Sequence, residues 1–189
     1  MHTRVGLIDE YGVTRARHEE DAVTPAPTVT LREITEQDRV AVEGLAVTPE
    51  QGDYVAGVAE SLVEAAEHPD AKPWYRAVYA DDEPVGFVMI SDGITVDDPD
   101  YLGPYYLWRL LVDERFQGRG YGTRALDLVV EHLLTRPDAR VLLTSHVVGP
   151  KSPRSFYLQY GFRPTDHVHN GEPVLEYDID RNPAAAPER

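Results

Sequence analysis

The chain of 189 residues contains no cysteine. Disulfides, thiolate zinc sites and a cysteine nucleophile are therefore excluded. No stretch of about 18 consecutive apolar residues occurs, so no membrane-spanning helix is expected. The opening Met1-His2-Thr3-Arg4-Val5-Gly6 lacks the apolar segment of a signal peptide. A soluble, cytoplasmic protein without a membrane partner is the expectation. Positive charge is scarce: 18 Lys and Arg face 33 Asp and Glu, a formal net charge of −15. Nucleic acid is an unfavourable partner for such a chain, because phosphate contacts require clustered cations. The acidity suits a cationic substrate, and it suits plain solubility equally. His167-x-His169 has no third ligand at a workable spacing, so no metal is expected. No Gly-x-Ser-x-Gly segment marks a serine nucleophile.

What the chain does have is apolar content of 42%, enough for one domain with a substantial core. Residues 1–28 keep no hydrophobic period, and Thr24-Pro25-Ala26-Pro27 reads as a linker, so an N-terminal extension is expected there. The domain spans 29–180, and 181–189 forms a second tail. Residues 29–34 alternate as a strand. Thr35-Glu36-Gln37-Asp38 reads as a helix start with Thr35 as N-cap. Asp53-Tyr54-Val55-Ala56 introduces a second helix that Pro69 stops. Residues 74–80 and 85–90 pair as antiparallel strands about an acidic turn. The loop 91–103 holds Asp92, Asp97, Asp98 and Asp100, a solvated loop or the flank of a cationic substrate. A strand over 141–147 follows. Ser152-Pro153 then opens a short helix ended by Gly161. Residues 162–168 and 174–179 close as a hairpin about Asn170-Gly171. The order β-α-α-β-β-β-α-β-α-β-β implies an α/β (α+β) fold, a mixed central sheet flanked by helices.

The centre of the chain carries the chemistry. Leu110-Leu111-Val112 is a buried strand end. Gly118, Gly120 and Gly122 follow at every second position. Ala125/Leu126, Val129/Val130 and Leu133/Leu134 then recur every four residues, one face of a helix. A glycine-rich turn between strand and helix aims backbone N–H groups and the helix dipole at one spot, a phosphate cradle. It is not a P-loop, which needs Gly-Lys-Ser/Thr, and its G-x-G-x-G spacing departs from the dinucleotide G-x-G-x-x-G.

Gln117-x-x-Gly120-x-Gly122 resembles instead the pyrophosphate-binding motif of the GNAT family of acyl-CoA-dependent N-acyltransferases. Ser152-Pro153-Arg154-Ser155-Phe156-Tyr157-Leu158-Gln159-Tyr160-Gly161-Phe162 resembles a second segment of that family. The wider family has Asn and Ala where this chain has Pro150 and Pro153, so no contact of that Asn carries over. Tyr54-Val55-Ala56 and residues 107–112 look like the bacterial spermine/spermidine acetyltransferase branch. The resemblance covers about 29–180 and implies the GNAT fold. It also implies acetyl-CoA as cosubstrate and a small-molecule amine as acceptor. A polyamine such as spermidine or spermine leads. An antibiotic amine, a protein or peptide amine, and a non-catalytic acyl-CoA-binding module are the alternatives.

By the same resemblance Leu111 and Val112 bond the pantetheine arm, and the central strand splays from its neighbour. The backbone of Gln117, Gly118, Arg119, Gly120 and Gly122, with Thr123 at the helix start, holds the pyrophosphate. Arg119, Lys151 and Arg154 are candidates to pair with phosphates. Tyr157 is the candidate general acid, because a phenol is protonated at neutral pH and can donate to a leaving thiolate. The carboxylate that related enzymes place on the central strand falls on Trp108 here, so the base must come from elsewhere. Glu172 is the first candidate, with Glu60, Asp53 and a water as substitutes. His146, ending a strand beside the cleft, is a further candidate for proton transfer or a satisfied strand-end histidine. GNAT domains often dimerise, and the apolar closing hairpin is a candidate surface for a homodimer.

Overall fold

The computed structural model describes residues 26–95 and 100–181. The extension before residue 26, the end after 181, and Asp97 and Asp98 lie outside the described residues. Among the described residues, seven strands form one sheet in the order β1-β2-β3-β4-β5-β7-β6. They are β1 (Val29–Arg32), β2 (Pro73–Ala80), β3 (Glu83–Asp92), β4 (Tyr105–Val112), β5 (Val141–Ser145), β6 (Arg163–His169) and β7 (Glu172–Asp178). The helices are α1 (Arg39–Glu43), α2 (Val58–Glu67), α3 (Tyr121–Leu133) and α4 (Arg154–Tyr160). Only β4 and β5 pair in parallel; the other neighbours are antiparallel. The sheet is therefore mixed, as the element order implied.

Each face of the sheet has its own core. The stripe Tyr121, Ala125, Leu126, Val129, Val130 and Leu133 of α3 is buried and packs against Val88, Ile90, Leu107 and Leu142. On the other face α1 and α2 cover Ala77, Phe87, Met89 and Leu111 through Val42, Val58 and Ala65. Val174, Leu175 and Tyr177 of the closing hairpin are buried within this chain, whereas Val168 on its edge strand is exposed. Asn170 at φ +50° and Gly171 at φ +83° make its two-residue turn, the left-handed pair that such hairpins require.

Three local expectations shift. Thr35 does not cap a helix: its N–H and hydroxyl both donate to Asp38 Oδ1, at 2.6 and 3.1 Å. Tyr79 Oη donates to Asp38 Oδ2 at 2.9 Å, so Asp38 organises a turn and α1 starts only at Arg39. Residues 53–56 are not helical; α2 begins after Gly57, leaving Asp53 to Ala56 as a loop in the cleft wall. Asp92 is not a loop acid facing solvent. It ends β3, its side chain only 8% exposed, and pairs with His132 of α3 and with Arg136 just after that helix. Burial would raise its carboxyl, but hydrogen bonds from Arg136 and His132 outweigh that and hold it below the ordinary range.

A bulge sets the geometry of β4. Met89 pairs with Arg109 and Ile90 with Leu107, so Trp108 is an extra residue on β4. Strict alternation would put 107 and 111 on one face. With the extra residue, Leu107 joins the α3 core and Leu111 the opposite one.

Candidate active site

β4 and β5 pair only through Tyr106 with Leu143 and Leu107 with Thr144. Beyond that point β4 runs on to Val112 with no ladder partner on its β5 edge. The wedge between the strands is the floor of a cleft of about 780 Å³. The N–H of Asp113 donates to Val85 O on β3, so by alternation the backbone of Val112 faces the wedge. The same alternation puts Leu111 toward β3, and a Cβ built on Gly86 would stand 2.4 Å from Leu111 O. Leu111 is 1% exposed and lies outside the cleft lining, whereas Leu110 and Val112 are in it. The pair expected on the pantetheine arm is thus separated, because adjacent strand residues address opposite edges.

The glycine turn sits at one end of the cleft. Gly118 at φ +75° and Gly120 at φ +81° occupy left-handed backbone, with nothing within 4 Å of an added Cβ. They leave the space above the first turn of α3 open, which fits a diphosphate approached by backbone N–H groups. Gly122 serves differently: an added Cβ would come within 3.2 Å of the Phe156 ring, so its bareness lets α4 pack on α3. Gln117 is a strut. Its Nε2 donates to Val112 O at 3.0 Å and to Gln51 Oε1 at 2.9 Å, tying the turn to the end of β4. Below it the buried Asp113 carboxylate accepts from the N–H groups of Ala46 and Arg115 and from the Arg115 guanidinium. Thr123 and Lys151 line the cleft. The Arg119 side chain does not: its guanidinium donates to Arg115 O at 3.1 Å and lies over Phe116, so only its backbone belongs to the turn. Arg154 is likewise outside the lining.

Tyr157 of α4 is 6% exposed, wedged between Phe156 and Phe162, and lines the cleft opposite β4. Burial pushes its hydroxyl up to about 12, with the Arg109 charge acting the other way. Arg109 projects from the bulge and donates to Glu64 Oε2 at 2.5 Å and to Trp108 O at 2.9 Å. Glu172, first residue of β7, accepts from Ser145 Oγ at 2.5 Å, and Ser145 Oγ lies 2.8 Å from Tyr106 Oη. Glu60 and Asp53 also line the cleft but are exposed. His146 is 5% exposed; its Nδ1 meets Ser152 Oγ at 3.0 Å, so Ser152 spends its hydroxyl here rather than capping α4. His167 is exposed on the edge strand, while His169 faces a different space.

That space is a second cavity of about 400 Å³. His68, Tyr101, Leu102 and His169 line it, and it shares Tyr106, Trp108, Arg109, Ser145 and Glu172 with the large cleft. Two concavities therefore meet at the point where β4 and β5 part. Tyr106, Arg109, Ser145 and Leu110 were not singled out from the sequence. For Leu110 alone a signal existed, since it lies two residues before Val112 on the same strand edge.

Comparison with known proteins agrees with this geometry. The profile of the Acetyltransferase (GNAT) family matches residues 50–162. A spermine/spermidine N(1)-acetyltransferase of Bacillus subtilis (strain 168) is 26% identical over 152 residues, 80% of this chain and 99% of that protein. The crystal structure of an acetyltransferase from Thermus thermophilus is similar in fold, with TM-score 0.54 at 22% identity, covering 80% of this chain and 97% of its own. The aminoglycoside acetyltransferase AAC(6')-Ib, solved with coenzyme A, has TM-score 0.62 at 19% identity, covering 80% of this chain and 95% of its own. The chain belongs to the GNAT acetyltransferase family and is an acetyl-CoA-dependent N-acetyltransferase.

Proposed function

We propose that the enzyme acetylates a primary amine of a small molecule, with a polyamine such as spermidine or spermine as the preferred acceptor. The observation that carries the transfer reading is the meeting of two cavities at Tyr106, Trp108, Arg109, Ser145 and Glu172. One substrate enters along the glycine turn and the other through the smaller cavity, and they face each other across that junction. Acetyl-CoA is held by the backbone N–H groups of 117–122, with Thr123 and Lys151 beside its phosphates. The free edge of β4 at Leu110 and Val112 takes the pantetheine arm, in place of Leu111. An N–H on this edge facing the thioester oxygen stabilises the charge that develops there.

Attack of the amine nitrogen on the thioester carbon forms the C–N bond and breaks the C–S bond. The proton lost by the nitrogen goes to Glu172, and the departing thiolate takes one from Tyr157. No covalent enzyme intermediate is needed, consistent with the absence of cysteine. The Bacillus relative supports the polyamine acceptor. So do the aromatic Tyr101, Tyr106 and Trp108 around the smaller cavity, with Glu172 at its inner end, since rings and carboxylates suit alkylammonium groups. The test is release of free CoA from acetyl-CoA with spermine, spermidine, an aminoglycoside and a peptide amine in parallel. Release with the polyamines above the other two is the expected result. Preference for the aminoglycoside or the peptide would overturn the acceptor assignment while leaving transfer intact.

A further inference from the structure

Glu172 stands beside the Asn170-Gly171 turn, where a long carboxylate side chain at a hairpin end is free to sample several rotamers unless something holds it. Two strands of the opened wedge supply that hold. Ser145, the last residue of β5, is 2.5 Å from Glu172 Oε2 through its Oγ. Tyr106 of β4 is 2.8 Å from the same Oγ. The direction of this chain follows from donor counting. A carboxylate only accepts, so the single hydroxyl proton of Ser145 goes to Glu172, and Ser145 Oγ can then only accept from Tyr106. Tyr106 must therefore be a phenol. Its burial, and the negative charge of Glu172 nearby, push its hydroxyl above the ordinary range and keep it one.

All three residues line both cavities. They also come from three different strands: β4, whose bulge and splay open the wedge, β5, which forms its other side, and β7, which carries the carboxylate. Opening the site and orienting its carboxylate thus depend on the same pair of strands. We propose that Ser145 and Tyr106 are positioning residues of the transfer reaction, which together fix the Glu172 carboxylate at the junction of the two cavities. This rests on the reading of Glu172 as the proton acceptor. Ser145 engages Oε2 and leaves Oε1 to address the incoming ammonium group. A displaced carboxylate would still bind the amine's charge at long range but would receive its proton poorly. The loss therefore belongs in kcat more than in the affinity for either substrate.

The experiment is a double-mutant cycle on kcat, with acetyl-CoA affinity measured separately by calorimetry. Ser145→Ala should lower kcat by about 10- to 100-fold, the scale of a misplaced catalytic group, with acetyl-CoA affinity unchanged within about twofold. Tyr106→Phe should lower kcat by a smaller factor, because Ser145 still reaches the carboxylate. Ser145→Thr, which keeps the hydroxyl, should recover most of the loss. In the Glu172→Gln background neither Ser145→Ala nor Tyr106→Phe should lower kcat further, since both act through that carboxylate. Losses of Ser145→Ala and Glu172→Gln that multiply in the double variant would overturn the assignment, as would a Ser145→Thr enzyme no better than the Ala variant. The calorimetric arm also reports folding, so a variant that binds acetyl-CoA normally and turns over slowly is not a misfolded one. A wild-type chain that binds acetyl-CoA but releases CoA with no amine would instead overturn the transfer reading, and this proposal with it.

Discussion

Gly149 is where the two walls of the cleft touch, and it can be tested by adding one carbon. Tyr54 comes from the loop before α2 and Gly149 from the loop after β5. A Cβ on Gly149 would stand 2.2 Å from the Tyr54 hydroxyl oxygen, 2.9 Å from Cζ and 3.0 Å from Cε1. Ordinary contact between such atoms lies near 3.5–4.0 Å, so the ring must retreat by more than about 1 Å or the loop must lift. Overpacking of this kind costs about 1–3 kcal/mol. For a domain of this size each kcal/mol lowers Tm by roughly 2–4 °C, so Gly149→Ala should melt roughly 2–12 °C lower. Tyr54→Phe removes only the oxygen nearest the new carbon and should rescue part of the loss. Tyr54→Ala removes the whole obstacle. On Tyr54→Ala, the added cost of Gly149→Ala should fall nearly to zero, a coupling of about the full 1–3 kcal/mol. Scanning calorimetry of the four proteins reads the cycle directly. Because Tyr54 and Lys151 line the same cleft, the KM for acetyl-CoA should rise in Gly149→Ala, while the double variant should match Tyr54→Ala alone. Additive Tm losses, or a Gly149→Ala protein melting with the wild type, would refute the claim that the walls are in contact.

Two further outcomes follow from the same structure. Tyr157→Phe should lower kcat about 10²- to 10⁴-fold, the usual worth of a positioned proton donor. Thr144 Oγ1 keeps its bond to Leu107 O at 3.1 Å, so melting should change little. With its hydroxyl pushed up to about 12, Tyr157 stays protonated throughout the working range. The ratio of wild-type to Phe kcat should therefore be constant from about pH 6 to 10, and a ratio that collapses toward one within that window would contradict the donor role. Asp113 offers the second. Burial raises its carboxyl, but the bonds from Arg115 and the Ala46 N–H outweigh burial and leave it below the ordinary range. A depressed carboxylate stabilises the fold above its unfolded pKa of about 3.9 and loses that contribution as pH falls through the lower folded value. The Tm difference between wild type and Asp113→Asn should be largest above about pH 4 and shrink in acid; a difference independent of pH would sink this account.

The parts of this protein that its sequence displays are those whose cause is local. The alternation of 74–80, the four-residue period of 125–133, the Asn170-Gly171 turn and the spaced glycines each rest on neighbours a few positions away, and they fall where the sequence places them. The start of the first helix is displaced because Thr35 and Asp38 suit a cap in either direction, and Tyr79, 41 residues further on, decides between them. The site divides in the same way. The end proposed to hold the diphosphate is a contiguous strand-turn-helix and is legible. The end proposed for proton transfer joins Glu172 and Ser145, 27 residues apart, and Tyr106 and Ser145, 39 apart, beside the pair Arg109 and Glu64, 45 apart. Nothing in any one of those segments marks the others. The bulge at Trp108 removes even the indirect clue, since it changes the phase of β4 within the strand. Counting inward from Val112 finds Leu110 on the cleft edge. Counting on past Trp108 by the same rule misassigns every residue beyond it. A site built at a break in a strand's alternation is for this reason least visible to the rule that locates the strand.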